Sequence, residues 1–381
     1  MPKIIVLGAG RVGGLIARDL HEDPALEVTV ADLRGDHLAE LGARHGFATQ
    51  VADLGDPAAV RAAVAEFDLV VGALPGALGL QTLEAVLDAG KHFVDISFMP
   101  EDPRPLSDKA AAKGIVMLYD IGVAPGMSNV LLAKGVRELA PAGFARYLVG
   151  GLPVVRRRPW EYEAPFSPID VVEEYTRPAR FKSGGELRVR PALSDPELFD
   201  FPELGTLEGF LTDGLRSMLD TIDCPHLEEK TLRYPGHADR VRVLRDTGFF
   251  DERELTVNGQ TVVARDFTFA LLNEAWYQEA DSEEYTVMRI EVHAAETPAG
   301  AAPKRIVYDL LDRTDRRRNE TSMARTTGFP AALCARRILD GTAPLGPGIH
   351  PPEALAADDA FVESLLRDHE ARGVRYRRVE G

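Results

Sequence analysis

The first third of the chain alternates between short apolar runs and segments that have one polar and one apolar helical face. Each apolar run has the length of a strand, and in each segment that follows it apolar residues recur every three or four positions. This alternation predicts a parallel, doubly wound sheet over residues 1–126. The predicted strands are residues 4–7, 28–31, 48–51, 69–73, 93–96 and 116–119, and the predicted helices are residues 12–20, 37–45, 57–66, 81–89 and 106–113.

The pattern changes near residue 123. A helix is predicted over 124–139, and longer runs then alternate between apolar and polar residues, with Asn258-Gly259 as a typical hairpin turn. We therefore expect a second, α+β domain with a mixed or antiparallel sheet, covered by long loops over residues 156–206. Its predicted strands are residues 145–149, 186–189, 254–257, 260–263, 286–293 and 305–311.

Helical spacing returns at 322–339 and at 358–371, and we expect these helices to rejoin the first domain. The predicted organisation is a first domain of residues 1–126 and 322–381, with a second domain of residues 127–321 inserted in it. The basic end of the chain, residues 372–381, is interpreted as a solvated tail.

A glycine-rich motif lies between the first predicted strand and the first predicted helix. A G-x-G-x-x-G pattern is weak alone, but its position between strand and helix is the one that dinucleotide binding requires. The first glycine permits the tight turn, the second lets the backbone approach a pyrophosphate, and the third lets the helix pack on the strand. The predicted cofactor contacts in the motif are Gly8, Gly10, Arg11, Val12 and Gly13.

The cofactor is predicted to be NAD, with NADP as a possibility. Asp32 follows the second strand, where a carboxylate accepts hydrogen bonds from a ribose 2′-OH and repels a 2′-phosphate. Arg34 lies close by, and an arginine here accommodates that phosphate. Further strand-end residues predicted to face the cofactor are Asp53, Ala73, Leu74 and Pro75.

Composition narrows the class of partner. The net charge of −16 argues against nucleic acid and against an anionic membrane as the main partner. The two cysteines have no metal-ligand or disulfide-framework spacing, so no metal is expected. Neither a signal peptide nor a bilayer-spanning run is predicted, which makes the cytoplasm the expected location.

The segment 120–127, Asp-Ile-Gly-Val-Ala-Pro-Gly-Met, resembles the end of the nucleotide domain in the saccharopine dehydrogenase-like family. Further segments that carry the resemblance are Gly-Gly-Leu-Pro at 150–153, Glu161-Tyr162 with Phe166-Ser167, Glu-Tyr-Thr at 174–176, Gly-Thr-Leu-Glu at 205–208 with Thr212, Thr-Leu-Arg-Tyr-Pro-Gly-His at 231–237, Met-Ala-Arg at 323–325, and Gly-Ile-His-Pro-Pro-Glu at 348–353.

Within that family the chain is most similar to the L-lysine 6-dehydrogenases. The resemblance implies that residues 1–126 and 322–381 form a dinucleotide-binding Rossmann domain and that the inserted residues 127–321 form a substrate-binding and oligomerisation domain. It also implies a small amino-acid substrate, a homodimer or homotetramer, and NAD(P)-linked oxidation at a C–N bond. The first hypothesis is oxidative deamination of the lysine ε-amine to the 6-semialdehyde with release of ammonia. The alternatives are saccharopine oxidation at a secondary amine, or its reverse, and a non-catalytic NAD(P)-binding sensor.

Amine oxidation requires a general base, because an ammonium group is protonated at neutral pH. His237 is the first candidate, since histidine titrates nearest the working range, and its alternative is a structural histidine bonded to a loop carbonyl. Tyr234 is a candidate for relaying a proton or orienting the amine, and its alternative is packing in the core. Asp120 ends the sixth strand, where ligands bind in parallel sheets, and is a candidate catalytic residue that orients the nicotinamide, with capping of the next turn as its alternative. Gly122 beside it is a predicted cofactor contact.

Candidates for binding the substrate are Arg233, Arg325, Glu208 and Thr212, with Asp213 beside it. Arg233 and Arg325 are predicted to bind a carboxylate, and the alternative for Arg233 is an ion pair with Glu228 or Glu229. Glu208 and Asp213 are candidates for an ammonium group, although each acid is also typical of a cap or a solvated surface. The arginine run 156–158 is interpreted as a solvated loop face; its alternative is to guide an anionic substrate, which would favour saccharopine.

Overall fold

The computed structural model describes residues 1–165, 168–279, 281–295 and 304–380. It divides into two compact units, one formed by 1–134 and 324–376 and the other by 135–323 and 377–381. The first unit thus extends past residue 126, because it includes the first turns of the helix that follows the sixth strand. Phe166 and Ser167, two of the resemblance positions, lie outside the described residues.

The first unit contains a seven-stranded sheet in which every described pairing is parallel. Its order is β17-β6-β5-β4-β1-β2-β3, which confirms the predicted doubly wound fold and adds one strand to it. The strands are β1 (Lys3–Leu7), β2 (Glu27–Asp32), β3 (Ala48–Val51), β4 (Leu69–Gly72), β5 (His92–Asp95), β6 (Val116–Leu118) and β17 (Gly348–His350).

Helices connect these strands and bury their apolar faces on the sheet. The helix Pro57–Val64 begins at the residue that the sequence predicts. Proline is favoured at the first helical position, and the Asp56 side chain caps the helix by accepting a hydrogen bond from Ala58 N. The helices are α1 (Arg11–His21), α2 (Gly35–His45), α3 (Pro57–Val64), α4 (Gly79–Ala89), α5 (Ser107–Ala112), α6 (Met127–Glu138), α11 (Ser322–Leu339) and α12 (Asp359–Ala371).

A buried ion-pair triad ties the C-terminal helices to α1. Asp19 is 4% exposed and lies 2.5 Å from Arg336 Nη1 and 2.6 Å from Arg372 Nε. Although burial raises the pKa of Asp19, the two guanidinium groups more than offset this and lower it. The return of α11 and α12 to the first unit is therefore fixed by charge as well as by apolar packing.

The second unit contains a mixed sheet and a separate hairpin. The order of its strands is β10-β11-β12-β7-β15-β16-β18, and β12 also pairs with β8, and β8 with β9. β12 and β7 are parallel, whereas the pairs β10–β11, β11–β12, β12–β8, β8–β9, β7–β15 and β15–β16 are antiparallel. The strands are β7 (Ala142–Pro153), β8 (Ala179–Ser183), β9 (Glu186–Arg190), β10 (Ser194–Phe201), β11 (Gly205–Leu211), β12 (Leu227–Arg233), β15 (Glu284–Ala294), β16 (Arg305–Arg313) and β18 (Tyr376–Glu380), and the hairpin is β13 (Glu254–Val257) with β14 (Gln260–Val263).

Two predictions for this part of the chain are wrong. Residues 156–206 are not long loops, since they include α7 (Pro168–Thr176), β8, β9 and β10. The end of the chain is not a free tail, because β18 lies beside β16 and Arg378 Nη2 lies 2.6 Å from Glu138 Oε2. The remaining helices of the unit are α8 (Met218–Thr221), α9 (His237–Thr247) and α10 (Ala264–Ala275).

Candidate functional site

The glycine motif forms the turn from β1 into α1, and each of its three glycines is suited to its position for a different reason. Gly8 has φ of +104°, and a Cβ there would lie 2.4 Å from Ala73 O. A Cβ on Gly13 would lie 2.0 Å from Gly8 O, so this position needs glycine for packing. A Cβ on Gly10 meets nothing within 4 Å. The backbone at Gly10 is therefore open, as the approach of a pyrophosphate to the start of α1 requires.

The end of β4 packs against this turn. Leu74 Cδ2 would lie 3.3 Å from a Cβ on Gly8, and Ala73 Cβ would lie 3.2 Å from one on Gly13. Both side chains are partly buried, whereas Pro75 is exposed. Arg11 and Val12 begin α1, with Arg11 exposed and Val12 partly buried. The structure thus brings the predicted residues of β4 and of the glycine motif together.

Asp32 is held between the glycine turn and Arg34. Its Oδ2 accepts a hydrogen bond from Ala9 N at 2.8 Å, and its Oδ1 accepts one from Arg34 N at 2.9 Å and one from Arg34 Nε at 3.1 Å. Burial acts to raise the pKa of Asp32, but these bonds outweigh it and lower the pKa. The carboxylate is ionised, and the arginine beside it is 60% exposed.

Asp53 has a local partner. It is exposed after β3, and its Oδ1 accepts a hydrogen bond from Gly55 N at 3.0 Å, as in an Asx turn. His37, which the sequence analysis passed over, places Nε2 2.8 Å from Ala9 O and so braces the glycine turn from α2.

Two buried carboxyl groups follow neighbouring strands of the first unit. Asp95 ends β5 and Asp120 comes just after β6, and each is 1% exposed. Burial raises the pKa of Asp95 to about 8. The hydrogen bond that Ser97 Oγ donates acts to lower this pKa, whereas the negative charge of Asp120 acts to raise it further. The carboxyl group of Asp95 is therefore mostly protonated near neutral pH.

The segment after Asp120 is a tight, buried turn. Gly122 N donates to Pro125 O at 3.0 Å, and a Cβ on Gly126, which has φ of +136°, would lie 1.9 Å from Gly122 O. Asn129 holds the turn, since its Oδ1 accepts from Gly126 N at 3.1 Å and its Nδ2 donates to Glu353 Oε2 at 2.9 Å. Gly122 thus fixes the backbone beside Asp120.

Arg233 is buried in the second unit with an acidic partner. Its Nη2 donates to Glu174 Oε2 at 2.9 Å, and its Nε donates to Tyr175 Oη at 3.0 Å. Arg233 therefore forms an ion pair, which was the alternative to carboxylate binding, but its partner is Glu174 and not Glu228 or Glu229. Arg233 is 3% exposed, so a substrate carboxylate would have to replace Glu174.

His237 lies inside an aromatic cluster at the first position of α9. Its Nδ1 is 3.1 Å from Trp160 O, its Nε2 is 3.1 Å from Tyr175 Oη, and the residue has no exposed surface. Burial, helped by the charge of Arg233, lowers its pKa to about 3. A neutral ring bonded to a loop carbonyl is the structural alternative, and these contacts favour it over a general base.

Tyr234 lies at the end of a short chain of polar groups. Its hydroxyl donates to Pro153 O at 2.9 Å and accepts from Tyr285 Oη at 2.8 Å, and burial raises its pKa. The guanidinium of Arg156 lies 4.2 Å from its ring centroid, and Arg156 Nη2 lies 3.2 Å from Glu161 Oε1. Arg156 remains 47% exposed, so it is accessible to an anion.

Thr212 and Glu208 face protein groups. Thr212 Oγ1 donates to the buried Glu229 Oε2 at 2.6 Å, and Glu208 Oε2 accepts from Gly236 N at 3.2 Å. Burial raises the pKa of Glu229 to about 8. Asp213 pairs with Arg180, with 2.8 Å between Oδ1 and Nε.

Arg325 belongs to the first unit. It is 4% exposed, and its Nη2 donates to Arg372 O at 3.0 Å. Arg325 and Arg233, the two candidates for binding a carboxylate, therefore belong to different units.

Several residues of interest escaped the sequence analysis. Asp95 could have been predicted. Asp120 was chosen because it is a polar residue at the carboxyl end of a parallel strand, and the same rule applies to Asp95. Glu174 and Tyr175 were named only as positions of the family resemblance, without a role, and Trp276 was not named, since their meeting depends on the packing of helices that lie far apart in sequence.

The described residues contain neither a candidate metal site nor a candidate membrane-spanning helix. In the ranges that the structure covers, no group of three or more His, Cys, Asp or Glu side chains is placed to hold a metal ion. No described helix is both long enough and apolar enough to cross a membrane.

Two family models cover nearly the whole chain. The model for the saccharopine dehydrogenase NADP binding domain matches residues 4–118, and that for the saccharopine dehydrogenase C-terminal domain matches residues 122–374. The glycine turn and Asp32 thus fall in the first match, and Arg233 and His237 in the second.

The curated relatives are distant and differ in length. The alpha-aminoadipic semialdehyde synthase of Arabidopsis thaliana is 26% identical over 67% of this chain, which spans 26% of that protein. The saccharopine dehydrogenase [NADP(+), L-glutamate-forming] of Pyricularia oryzae is 26% identical over 66% of this chain and 59% of its own length. The enzyme of the same name from Saccharomyces cerevisiae is 22% identical over 95% of this chain and 96% of its own length. The chain therefore spans less than two thirds of the first two relatives.

A solved structure has the same fold. The apo saccharopine dehydrogenase (L-Glu forming) from Saccharomyces cerevisiae superposes with a TM-score of 0.82 over 100% of both chains, at 18% sequence identity. At this identity the likeness establishes the architecture of the chain.

Proposed function

The chain belongs to the saccharopine dehydrogenase family, as its motifs predict, and from this premise we propose that it is an NADP-dependent dehydrogenase that oxidises the secondary amine of saccharopine or a close analogue. One observation carries the proposal: the yeast saccharopine dehydrogenase [NADP(+), L-glutamate-forming] aligns over 95% of this chain and 96% of its own length. The names of the relatives favour this reaction over deamination of lysine, which was the first hypothesis from the sequence.

The first unit supplies the cofactor site in this proposal. The open backbone at Gly10 and the start of α1 would hold the pyrophosphate, and Asp32 with Arg34 would face the adenosine ribose. The name of the matching family model favours NADP over NAD, which reverses the preference taken from Asp32 alone. The exposed guanidinium of Arg34 is the group that would bind a 2′-phosphate. When bound, the cofactor supplies the hydride acceptor.

Asp120 and Asp95 are the proposed proton-handling pair. The amine must be neutral before its C–N bond is oxidised, so one group must take a proton from the substrate ammonium. Asp120 is buried at the edge of the sheet where ligands bind and would accept this proton, while Asp95, whose pKa burial raises to about 8, would be the neighbouring acid. Water then adds to the substrate imine, and cleavage of the C–N bond gives an amine and an aldehyde.

Arg156 is the proposed anchor for a substrate carboxylate. It is the exposed cation beside the buried hydroxyls of Tyr234 and Tyr285, and stacking on the Tyr234 ring orients its guanidinium. Saccharopine carries more carboxylates than lysine, so an exposed arginine here favours the larger, more acidic substrate, even though Arg156 also pairs with Glu161. Arg233 is buried as well as paired with Glu174 and is the weaker candidate.

An initial-rate panel tests the proposal. Purified protein is assayed with saccharopine and with lysine, each with NADP⁺ and NAD⁺, and the highest kcat/KM is expected for saccharopine with NADP⁺. Asp120→Asn should lower kcat, whereas Arg156→Ala should raise KM for saccharopine, with Arg188→Ala on β9 as the matched surface control. Reduction of cofactor by lysine alone would overturn the proposal.

A further inference from the structure

Two arginines of the second unit share one buried carboxylate. Arg156 Nη2 lies 3.2 Å from Glu161 Oε1, and Arg240 Nη1 lies 3.7 Å from Glu161 Oε2. Glu161 is 8% exposed, whereas the side chains of the two arginines, which we refer to as the arginine pair, are 47% and 36% exposed. Two guanidinium groups and one carboxylate leave a net positive charge in a chain whose net charge is −16. The arginine pair is therefore accessible to an anion from solvent.

One carboxylate does not satisfy both arginines. Glu161 presents Oε1 to Arg156 and Oε2 to Arg240, so neither guanidinium has the two-oxygen contact that it forms with a carboxylate of its own. Among the described residues the buried Nη1 of Arg240 has no hydrogen-bond acceptor, since 3.7 Å is too long for a hydrogen bond. An unsatisfied buried donor favours a ligand that supplies an acceptor.

Local backbone geometry places the carboxylate and Arg240. Glu161 has φ of +51°, where residues other than glycine are uncommon, and its backbone N donates to Arg157 O at 2.7 Å. Such conformations are found mainly at ligand and active sites, where the surroundings fix them. Arg240 lies on α9, and its Nη2 would lie 3.7 Å from a Cβ on Gly236. The contact is thus built by a turn and a helix.

A third cation lies near the arginine pair. The guanidinium of Arg313, which is exposed, lies 5.7 Å from the ring centroid of Tyr285, whose hydroxyl donates to Tyr234 Oη at 2.8 Å. Burial raises the pKa of both tyrosine hydroxyls, and the charges of Arg156 and Arg313 act on each in the opposite direction. A ligand with more than one carboxylate therefore finds cations on both sides of the tyrosines.

We propose that the arginine pair binds one carboxylate of a di- or tricarboxylate ligand, and that Glu161 is an internal competitor for the same guanidinium groups. A monocarboxylate would gain little, because it meets the negative charge of Glu161. A dicarboxylate gains a second contact at Arg313, so Glu161 sets a selectivity for ligands with two or more carboxylates. The identity of the natural ligand rests on the proposed function, whereas carboxylate binding is measurable without turnover.

Isothermal titration calorimetry with glutarate tests the site, because this dicarboxylate contains no C–N bond to oxidise. Pentanoate, the monocarboxylate of equal chain length, should bind wild type at least about 10-fold more weakly. Arg240→Gln should weaken glutarate binding at least about 10-fold, since it removes a charge-assisted contact. Glu161→Gln should strengthen it about 10-fold, since it removes the competing charge at nearly constant size.

Matched variants control for general effects of charge. Glu163→Gln removes another acid that is 8% exposed, the partner of Arg157 at 3.6 Å, and Arg242→Gln removes another arginine of α9, the partner of Asp239. Neither should change the dissociation constant of glutarate by more than about twofold. Thermal unfolding followed by circular dichroism checks that each variant is folded.

Turnover separates this inference from the proposed function. With saccharopine and NADP⁺, KM should rise in Arg240→Gln and fall in Glu161→Gln, with the effect in KM and not in kcat. Glutarate affinities that shift as expected in a protein that does not oxidise saccharopine would support the site and contradict the proposed function. The site is overturned if wild type does not bind glutarate, if Arg240→Gln keeps its affinity, if Glu161→Gln binds no more tightly than wild type, or if the control variants shift equally.

Discussion

Asp32 and Arg34 form an ion pair at the end of β2, with 3.1 Å between Asp32 Oδ1 and Arg34 Nε. The acid that would accept hydrogen bonds from a ribose 2′-OH is therefore already engaged, and the cation that would bind a 2′-phosphate is more than half exposed. The choice between NAD and NADP depends on which member of this pair faces the ligand.

Replacement of Arg34 tests that choice. Arg34→Ala should raise KM for NADP⁺ about 10- to 100-fold and leave KM for NAD⁺ within about twofold, since a charge-assisted hydrogen bond to phosphate contributes about 1.5–3 kcal/mol. The measurement is kcat/KM with each cofactor, and Arg44→Ala on α2, where the arginine pairs with exposed Glu40, is the control. An equal loss with both cofactors would place Arg34 away from the 2′ position.

The glycines of the turn should separate binding from folding. Gly10→Ala adds a methyl group where the backbone has open space, so the melting temperature should change little while NADP⁺ affinity falls at least about 10-fold. Gly13→Ala places the same group 2.0 Å from Gly8 O and should lower the melting temperature. Calorimetry and fluorescence titration measure the two effects. Unchanged affinity in Gly10→Ala would show that the phosphate binds elsewhere.

His237 is expected to stabilise the fold. His237→Asn should reduce the free energy of unfolding by about 1–3 kcal/mol, because it disrupts buried hydrogen bonds to Trp160 and Tyr175. In the folded fraction kcat should change by less than about tenfold, with the pH profile of kcat unchanged. Tyr175→Phe, which removes the hydroxyl on Nε2, is the matched comparison. A fall of about 10²–10⁴-fold with an altered pH profile would instead identify His237 as the general base.

Glu229 should make the protein less stable as the pH rises. An unfolded glutamate releases its proton near its ordinary pKa of 4.5, whereas burial raises the pKa of folded Glu229 to about 8. The folded state therefore holds the extra proton between these values, and the free energy of unfolding falls by up to about 1.4 kcal/mol per pH unit in that window. Urea unfolding from pH 5 to 8 should show a smaller slope in Glu229→Gln.

Glu228→Gln is the control for this measurement, because its side chain is partly exposed and lies 3.6 Å from Arg146. Asp95, whose pKa burial raises from 3.8 to about 8, contributes a slope of the same sign. Glu229→Gln should therefore remove only part of the pH dependence. Parallel slopes in wild type and Glu229→Gln would show that Glu229 is ionised in the folded protein.

The nucleotide-binding unit was largely predictable from the sequence because its signals are local. Strands buried on both faces give short apolar runs, and the glycines at 8 and 13 are required by contacts within one turn. The strand at 348–350 was missed because three residues in a stretch rich in glycine and proline give no periodic signal.

The second unit was less predictable because its structure depends on distant contacts. The sequence predicts β9 but not β8 or β10: β8 is only partly buried and β10 is largely exposed, so both carry charged and polar residues that are typical of loops. The candidate site shows the same limit. Residue type suggested His237 and Arg233, but their roles depend on Tyr175 and Glu174, which the fold brings from α7.

The fate of the substrate nitrogen tests the central claim most directly. Purified protein is incubated with saccharopine and NADP⁺, and NADPH, glutamate and ammonia are quantified in the same sample. Oxidation of the secondary amine predicts NADPH and glutamate in equal amounts and no free ammonia. An absence of NADPH with saccharopine, together with NADPH and equal ammonia from lysine, would contradict the claim.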